Sequence, residues 1–388
     1  MTPGAIELPG LGKPRLAASR ELAADEPPRL AASREVAADE PPRLVASLEL
    51  ATDEVPRHAI RLVEVAGGEP PRLRRFAELP QLLRAGDLVV VNDAATLPGS
   101  LPGCTARGEP FELRLSGPID AGRLFGVLLG PGDHRTRTEH RAAPPRVERG
   151  DCVAIAGMTA TVAGAAGRRV ELVVRGDGDA LWQALYAAGA PVQYAHRPEP
   201  LPLWSVQTAY AGRPWAAEMP SAGRPLTWEV VLGLGRAGIA VAALTQAAGL
   251  SSTGDDALDR ALPWPERYEI PRRTADAVAA ARAAGGRVIA IGTTVVRALE
   301  AAADEAARAD SRVPVRAGSG IATLRLDAAY RPRVVSGLVS GLHVPGESHF
   351  DLLTAFAAPD RLRDAIALAA RHGLSSHELG DSCLILPA

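Results

Sequence analysis

The first strong pattern of apolar positions is a helical stretch followed by a short, wholly apolar run. Residues 76–83 place apolar side chains at helical spacing, and a tight turn leads into residues 88–91, which read Leu-Val-Val-Val. An apolar run bounded by turn residues predicts a buried strand. This strand carries Asn92 and Asp93 at its carboxyl end, where ligands usually bind in α/β folds, so Asp93 is a candidate site residue.

A second strand and turn precede a long helical pattern. Residues 287–291 are apolar after the first position and predict a buried strand, and from Val295 onward apolar residues recur at helical spacing. Gly292 permits the sharp turn between them, and Thr293 or Thr294 is expected to cap the helix. The free N–H groups and the positive dipole end at such a start favour an anionic or oxygen-rich ligand, although many similar turns bind nothing.

Between these two units the pattern changes to short strands. Residues 99–176 contain the runs FELRL, RLFGVLLG, CVAIAG, TATVAG and RRVELVV, separated by Gly, Pro and Asp, which is typical of a small antiparallel barrel or sandwich. Helices and strands alternate again from residue 177 to the end. We therefore predict an α/β fold in which residues 45–98 and 177–388 form a larger domain, and residues 99–176 form a small antiparallel β-barrel domain inserted in it.

The first 44 residues form a tandem repeat that lacks the apolar pattern of a folded domain. Copies begin at Pro14, Pro28 and Pro42, and the proline pair at each junction prevents a continuous helix. We interpret residues 1–44 as a disordered tail. Deleting them is expected to leave the melting temperature nearly unchanged, measured by calorimetry on the full and shortened chains; a fall of many degrees would show that the repeats pack on the folded part.

Composition narrows the classes of function. Lys13 is the only lysine among 43 basic residues, which argues against Schiff-base or phosphate-loop chemistry in the folded part. The formal net charge of −2 gives no general attraction for nucleic acid, so RNA binding requires local arginine clusters. The clusters in the sequence are Arg72, Arg74 and Arg75, and Arg135, Arg137 and Arg141, each of which can equally be solvated surface charge.

No membrane segment, disulfide framework or metal site is expected. No apolar run approaches the roughly 20 residues that span a bilayer, so we predict a cytoplasmic protein without a membrane partner. The three cysteines are too far apart for a zinc motif or a disulfide framework. His343, Glu347, His349 and Asp351 lie close together in sequence, but the intervening Pro-Gly pair breaks the strand geometry that would let them converge on a metal.

Several segments resemble, in order, the motifs of the S-adenosylmethionine:tRNA ribosyltransferase-isomerase (QueA) family. VVNDAATLPGSL from Val90 resembles VVNDTRVIPARL, GTTVVRALE from Gly292 resembles GTTSVRTLE, and LVSGLHVPGESHFDLLTAF from Leu338 resembles LxTNFHLPKSTLLMLVSAF. The segments VQTAYA, PSAGRPLT, TQAAGLSST and LGDSCLI also fall at corresponding places along the chain. The combination of these motifs is specific for the family.

The resemblance implies an architecture and a reaction. Family members transfer the ribosyl part of S-adenosylmethionine to 7-aminomethyl-7-deazaguanine in the tRNA anticodon, rearrange it to an epoxycyclopentane, and release adenine and methionine. The sulfonium acidifies the adjacent C5′ hydrogens, so the protein must supply a base, an acid for the departing adenine, and a pocket poor in water. We expect S-adenosylmethionine as the ribosyl-donating substrate with no separate cofactor, tRNA as the acceptor, and a monomeric protein.

Positions that match the family's motifs give the candidate residues. Asp93 is expected to act as the base or as partner of the sulfonium, or else to bond nearby backbone N–H groups, and His343 to act as general acid. Residues 292–294 are expected to hold the methionine carboxylate or a tRNA phosphate, with Arg297 adding charge. The other matched positions, where ligand contact and packing are both open, are Gln207, Tyr210, Ser221, Gly223 and Asp381.

The chain departs from the family's motifs mainly at charged positions. Two histidines are replaced by Pro225 and Ala247, two arginines by Ala95 and Ser100, and a lysine by Gly346, with Glu347 after it. These changes remove proton donors and phosphate ligands. Two alternatives to the family's activity therefore stay open: a paralogue that uses S-adenosylmethionine or a related nucleoside on a small-molecule acceptor, and a non-catalytic binding protein.

Overall fold

The computed structural model describes residues 49–50, 55–176, 178–376 and 379–386. The described strands are, in chain order, β1 (Glu49–Leu50), β2 (Arg61–Ala66), β3 (Arg72–Arg75), β4 (Leu88–Asn92), β5 (Ala94–Thr96), β6 (Ser100–Thr105), β7 (Pro110–Leu115), β8 (Arg123–Leu129), β9 (Cys152–Ile155), β10 (Met158–Ala166), β11 (Arg169–Val174), β12 (Arg213–Ala216), β13 (Ala240–Gln246), β14 (Glu266–Ile270), β15 (Val288–Ile291), β16 (Gly318–Ala322), β17 (Gly337–Gly341), β18 (Ser375–Ser376) and β19 (Ser382–Leu386). The described α-helices are α1 (Leu79–Leu82), α2 (Gly178–Ala188), α3 (Trp228–Arg236), α4 (Asp256–Asp259), α5 (Arg272–Ala283), α6 (Thr293–Arg308), α7 (Ser348–Leu353) and α8 (Pro359–Arg371). The predicted tail, residues 1–44, lies outside the described residues.

Nine strands form one mixed sheet in the order β16-β14-β13-β4-β15-β17-β19-β2-β3. Strands β13, β4, β15 and β17 run parallel, and every residue of β4 and β15 is buried. Parallel strands that are covered on both faces need apolar side chains at nearly every position, which explains the runs LVVV and VIAI. The loops that follow the carboxyl ends of these strands lie at one edge of the sheet.

Helices cover both faces of this sheet. Along β4, Leu88 and Val90 join the core formed with α5, α6 and α8, whereas Val89 and Val91 join the core formed with α1 and α3. This division follows from the period of two along a strand. Two apolar layers around one sheet confirm the predicted α/β fold. Among the described residues no helix is both long and apolar enough to cross a membrane.

Strands β6 to β11 form a closed antiparallel barrel in the order β10-β11-β8-β7-β6-β9. All six strands contribute to its apolar interior, to which α2 adds Leu181 and Leu185. The chain leaves the large sheet after β4 and returns to it at β13, which pairs parallel with β4. The fold is therefore the predicted larger α/β part with an inserted small antiparallel β-barrel, and the predicted residue boundaries of the domains stay predictions.

Local structure differs from the sequence prediction at four places. The stretch from Phe76 is a 3-10 turn, Phe76–Glu78, followed by the single turn of α1, because Pro80 lacks a backbone N–H and is tolerated only in the first turn of a helix. Strand β4 extends one residue further than predicted, to Asn92. The second predicted strand starts one residue later, at Val288, and its helix starts two residues earlier, at Thr293.

Candidate active site

A cleft with a volume of about 660 Å³ lies at the carboxyl ends of the parallel strands. It is formed by the segment before α3, the loop after β13, the turn after β15 and the loop after β17. Its volume falls within the ordinary range for small-molecule sites. Its lining includes Glu218, Ser221, Ser251, Gly292, Thr293, Thr294, Arg297, His343, Gly346, Glu347 and His349.

Gly292 begins α6 in a conformation that is essentially restricted to glycine, with φ 97° and ψ 153°. Its N–H donates to the Val339 carbonyl at 2.8 Å, which anchors the turn on β17. Gly292 itself occupies the N-cap, and no side chain caps the helix, so the predicted capping by Thr293 or Thr294 is wrong. The N–H groups of the first turn have no intrahelical acceptor, and Thr293 and Thr294 of this turn line the cleft.

Asn92 joins the end of β4 to the neighbouring strand and to α6. Its Nδ2 donates to the Gln246 carbonyl at 2.9 Å and to the Thr294 hydroxyl at 3.4 Å. Its Oδ1 accepts from the N–H groups of Gln246 at 2.9 Å and Ala94 at 3.0 Å. Asp93 was predicted from this motif and Asn92 was not, although an amide at the end of a buried strand can bond several backbone groups.

His343 pairs with a carboxylate in the wall of the cleft. Its Nδ1 lies 3.1 Å from Oε2 of Glu347, and the Val344 N–H donates to the same oxygen at 3.3 Å. The imidazole stacks on His349, with ring centroids 4.7 Å apart and planes 15° apart. Because Nδ1 faces a carboxylate, the neutral ring carries its proton there and keeps a lone pair on Nε2. The pair can thus accept a proton and stabilise the imidazolium that forms.

Glu218 brings a more deeply buried carboxyl group to the cleft. Its Oε1 accepts from the Ser251 N–H at 2.7 Å and from the Tyr194 hydroxyl, and its Oε2 accepts from the Ser251 hydroxyl at 2.5 Å. Burial raises the pKa of the Glu218 carboxyl, while these hydrogen bonds and the charge of Arg114 oppose the rise. Glu218 was not predicted from the sequence, where its only local signal is its place two residues before the PSAG segment.

Arg297 lines the cleft, but its guanidinium is bound to protein acceptors. The residue is 4% exposed, forms an ion pair with Glu266, and donates to three backbone carbonyls at 3.0 to 3.1 Å. Glu266 also accepts from Gln246 Nε2 at 2.7 Å and from the Gly249 N–H at 2.8 Å. This geometry corrects the expectation that Arg297 adds charge for an anionic ligand, since the charge is neutralised by a buried carboxylate.

Two of the predicted residues bind backbone groups elsewhere in the fold. The Gln207 amide pairs with Thr96 of β5, donating to its carbonyl at 2.8 Å and accepting from its N–H at 2.9 Å. Asp381 is buried and forms an ion pair of 2.7 Å with Arg61, whose backbone N–H also donates to it. Both side chains lie outside the lining of the cleft, and their contacts here are those of packing residues.

Asp93, Tyr210 and Gly223 also lie outside the lining. Asp93 accepts a hydrogen bond of 2.5 Å from the Thr245 hydroxyl. The Tyr210 hydroxyl lies 3.4 Å from the Gly223 carbonyl, and a Cβ at Gly223 would collide with it, so this glycine permits a close approach. Burial and the nearby charge of Asp93 raise the pKa of Tyr210. The matched motif positions that line the cleft are Ser221, Gly292, Thr293, Thr294, Arg297 and His343.

The positions that depart from the family's motifs are spread through the structure. Gly346 and Glu347 line the cleft, so the loss of a lysine and the gain of a carboxylate directly affect it. Ala247 is 2% exposed, and the Ser100 hydroxyl donates to Glu112 at 2.8 Å in the barrel. Pro225 lines a separate groove. The electrostatic change at the cleft itself is therefore concentrated in one loop.

Thr294→Ala is expected to weaken S-adenosylmethionine binding by about 1 kcal/mol, the typical loss for one hydrogen bond, because Thr294 lines the cleft at the start of α6. The measurement is a calorimetric titration. Thr294→Ser keeps the hydroxyl and is the matched control, with affinity close to that of the unmodified protein. Unchanged affinity in Thr294→Ala would remove this hydroxyl from the site.

A family model described as "Queuosine biosynthesis protein" matches residues 38–385. An S-adenosylmethionine:tRNA ribosyltransferase-isomerase from Synechococcus elongatus is 33% identical over 320 residues, covering 81% of this chain and 86% of that protein. The protein of the same name from Anaeromyxobacter sp. is 34% identical over 337 residues, covering 84% and 92%.

A crystal structure of the S-adenosylmethionine tRNA ribosyltransferase from Thermotoga maritima aligns at a TM-score of 0.45 with 22% identity, covering 89% of this chain and 98% of that one. The assignment to a family rests on the sequence matches, which exceed 30% identity over more than four fifths of the chain. The chain belongs to the queuosine biosynthesis protein family, whose members matched here are S-adenosylmethionine:tRNA ribosyltransferase-isomerases.

Proposed function

We propose that this chain transfers and isomerises the ribosyl part of S-adenosylmethionine onto 7-aminomethyl-7-deazaguanine in tRNA, within queuosine biosynthesis. One observation carries the proposal: the cleft joins the start of α6 and the His343–Glu347 pair in a space of suitable size for a nucleoside. The names of the relatives agree with this activity. A non-catalytic binding protein has no chemical need for a histidine and carboxylate paired in the cleft wall.

The charged parts of S-adenosylmethionine match two regions of the cleft. We assign its carboxylate to the N–H groups of Thr293 and Thr294, where the helix dipole favours negative charge. We assign its sulfonium to the carboxylates of Glu218 and Glu347, which line the same cleft. Glu347 is thereby assigned to donor binding, and this role does not require the lysine that Gly346 replaces.

The same cleft holds a group for proton transfer. Nε2 of His343 accepts a proton from C5′ of the donor, and Glu347 stabilises the imidazolium that results. The imidazolium then returns a proton to the departing adenine, so one residue serves both steps. Asp93 accepts a hydrogen bond from Thr245 and lies outside the lining, so we assign the proton-accepting role to His343. The role of Asp93 in the site stays a prediction.

This reaction draws its leaving group from the donor itself. The sulfonium departs as the neutral thioether of methionine, so the proposed chemistry calls for no separate cofactor. We further propose that the protein acts as a monomer. The Gly346 and Glu347 substitutions in the cleft favour, as the second candidate, a paralogue with a small-molecule acceptor.

The deciding experiment measures adenine and methionine release from S-adenosylmethionine, with and without tRNA that carries the 7-aminomethyl-7-deazaguanine base. We expect release only when the precursor tRNA is present, together with a modified base in the recovered tRNA. Release that does not respond to tRNA but responds to a free nucleoside acceptor would support the small-molecule paralogue. Binding of S-adenosylmethionine without release of adenine or methionine under any of these conditions would contradict both proposed activities, with tRNA and with a small-molecule acceptor.

A further inference from the structure

A second groove, with a volume of about 410 Å³, lies beside the loop that borders the cleft. The loop residues Ser221 and Ala222 line the cleft, and Pro225, only three positions later, lines this groove. Three residues of chain span at most about 11 Å, so the two concavities are neighbours on either side of one short segment. The groove is bounded by α1, by α3 and by the short turn Arg57–Ala59.

Two exposed tryptophans lie on segments that border this groove. Trp228, in the first turn of α3, is 58% exposed, and Leu232, one turn later on the same helix, is 59% exposed. Trp204 is 75% exposed, and its backbone carbonyl accepts a hydrogen bond of 3.3 Å from Arg57, which lines the groove. Exposed tryptophans on segments that border a groove indicate a binding surface.

The groove also carries positive charge that is available to a ligand. Arg57, His58 and Arg236 line it, against the single carboxylate of Glu229. Among the described residues, neither Arg57 nor Arg236 takes part in an ion pair. Arg57 donates to two backbone carbonyls, which hold its guanidinium in place without neutralising it.

The arginine clusters expected from the sequence are different in this respect. Arg72, Arg74 and Arg75 each pair with a glutamate on their own or the adjacent strand or turn. In the connection between β8 and β9, the cluster members Arg135, Arg137 and Arg141 pair with Asp133, Glu139 and Glu112. Their charges are largely compensated locally, so the groove is a better candidate for phosphate contacts than either predicted cluster.

We propose that this groove binds the single-stranded RNA that flanks the reacting base, with unpaired bases stacked on Trp228 and Trp204 and phosphates held by Arg57 and Arg236. The inference rests on the proposed function, because the adjoining cleft takes the reacting base. A base must leave its stack to enter a cleft, which exposes its neighbours. Aromatic faces beside cationic side chains are the usual means of holding unstacked RNA. The groove would thereby replace the arginines and lysine that are missing at Ala95, Ser100 and Gly346.

The test is a titration of labelled precursor tRNA and of its isolated anticodon stem-loop by fluorescence anisotropy at two or more salt concentrations. Trp228→Ala is expected to weaken binding about tenfold with an unchanged salt slope, since stacking does not displace counterions. Arg236→Ala is expected to weaken binding and to reduce the salt slope by about 1, and Arg236→Lys to restore that slope. Both substituted positions are exposed, so melting temperatures should stay close to the unmodified value.

The matched controls are Tyr186→Ala and Arg272→Ala, an aromatic residue and an arginine that are exposed outside the groove. They should leave RNA affinity unchanged, and S-adenosylmethionine binding by calorimetry should be the same in all variants. Tight tRNA binding that is unchanged in Trp228→Ala and Arg236→Ala would contradict RNA binding by the groove, and it would not contradict the proposed function. RNA binding that these substitutions weaken, without adenine release by the unmodified protein, would support the groove and contradict the proposed activity.

A further outcome would show that this surface binds a protein and not RNA. If the unmodified chain binds neither RNA but self-associates in sedimentation experiments, and Trp228→Ala abolishes that association, the exposed tryptophans belong to an interface between two copies. That result would overturn the RNA proposal.

Discussion

Replacing His343 by alanine is expected to lower kcat for adenine release by about 10²- to 10⁴-fold, the usual contribution of general acid–base catalysis. The His343 imidazole lines the cleft, and Glu347 holds its Nδ1, which leaves Nε2 for proton transfer. Affinity for S-adenosylmethionine should change much less than kcat, because the ring is assigned to proton transfer and not to the donor's charged groups. Single-turnover adenine release and calorimetric titration measure the two effects separately.

Variants at Glu347 and His372 test whether the loss of activity is specific to His343. Glu347→Ala keeps the imidazole but removes the acceptor for Nδ1–H, so the proton should redistribute between the ring nitrogens, as ¹⁵N chemical shifts of labelled histidine would report. We expect kcat in this variant to lie between those of His343→Ala and the unmodified protein. His372→Ala changes a histidine that follows α8 and lies outside the cleft, and it should retain full activity. If His343→Ala also retained full activity, proton transfer by this residue would be excluded.

The parts of the fold that sequence patterns predicted are those dominated by local burial. Strands β4 and β15 are continuous apolar runs because they are covered on both faces, and five of the six barrel strands have clear β-like patterns. Strand β6, Ser100–Thr105, was missed because Pro102 and Gly103 interrupt its alternation. Gly103 is needed there, since a Cβ would collide with the ring of Phe111, its pairing partner on the adjacent strand β7. Only the closed barrel reveals that requirement.

The candidate site was predictable where residues sit in motifs and unpredictable where distant segments meet. The Gly-Thr-Thr turn and His343 could be chosen from motif positions, and they do line the cleft. Glu218 and Ser251 come from different segments, and their hydrogen bonds form only when the loop after β13 packs beside the segment before α3. Sequence position likewise could not show that Arg297 is bound to Glu266, because the partner lies on another element.

The buried Arg297–Glu266 pair is the basis of the largest expected effect on stability. Arg297→Met should lower the free energy of unfolding by about 3–5 kcal/mol, because it leaves the Glu266 carboxyl buried without its counter-charge. Glu266→Gln in the same chain should recover a substantial part of that loss, since it removes the uncompensated charge. Urea denaturation of the single and double variants measures the coupling between the two side chains.

Arg308→Met is the matched control, because Arg308 lies at the opposite end of the same helix with its side chain 77% exposed, and its effect should stay within about 0.5 kcal/mol. The consequence for the site follows from geometry. Glu266 also accepts from Gln246 and from Gly249 of the cleft loop, so the pair holds the start of α6 against the end of β13. Arg297→Met should therefore weaken S-adenosylmethionine binding as well, even where the protein is still folded. A variant as stable as the unmodified protein would show that the ion pair contributes nothing to this arrangement.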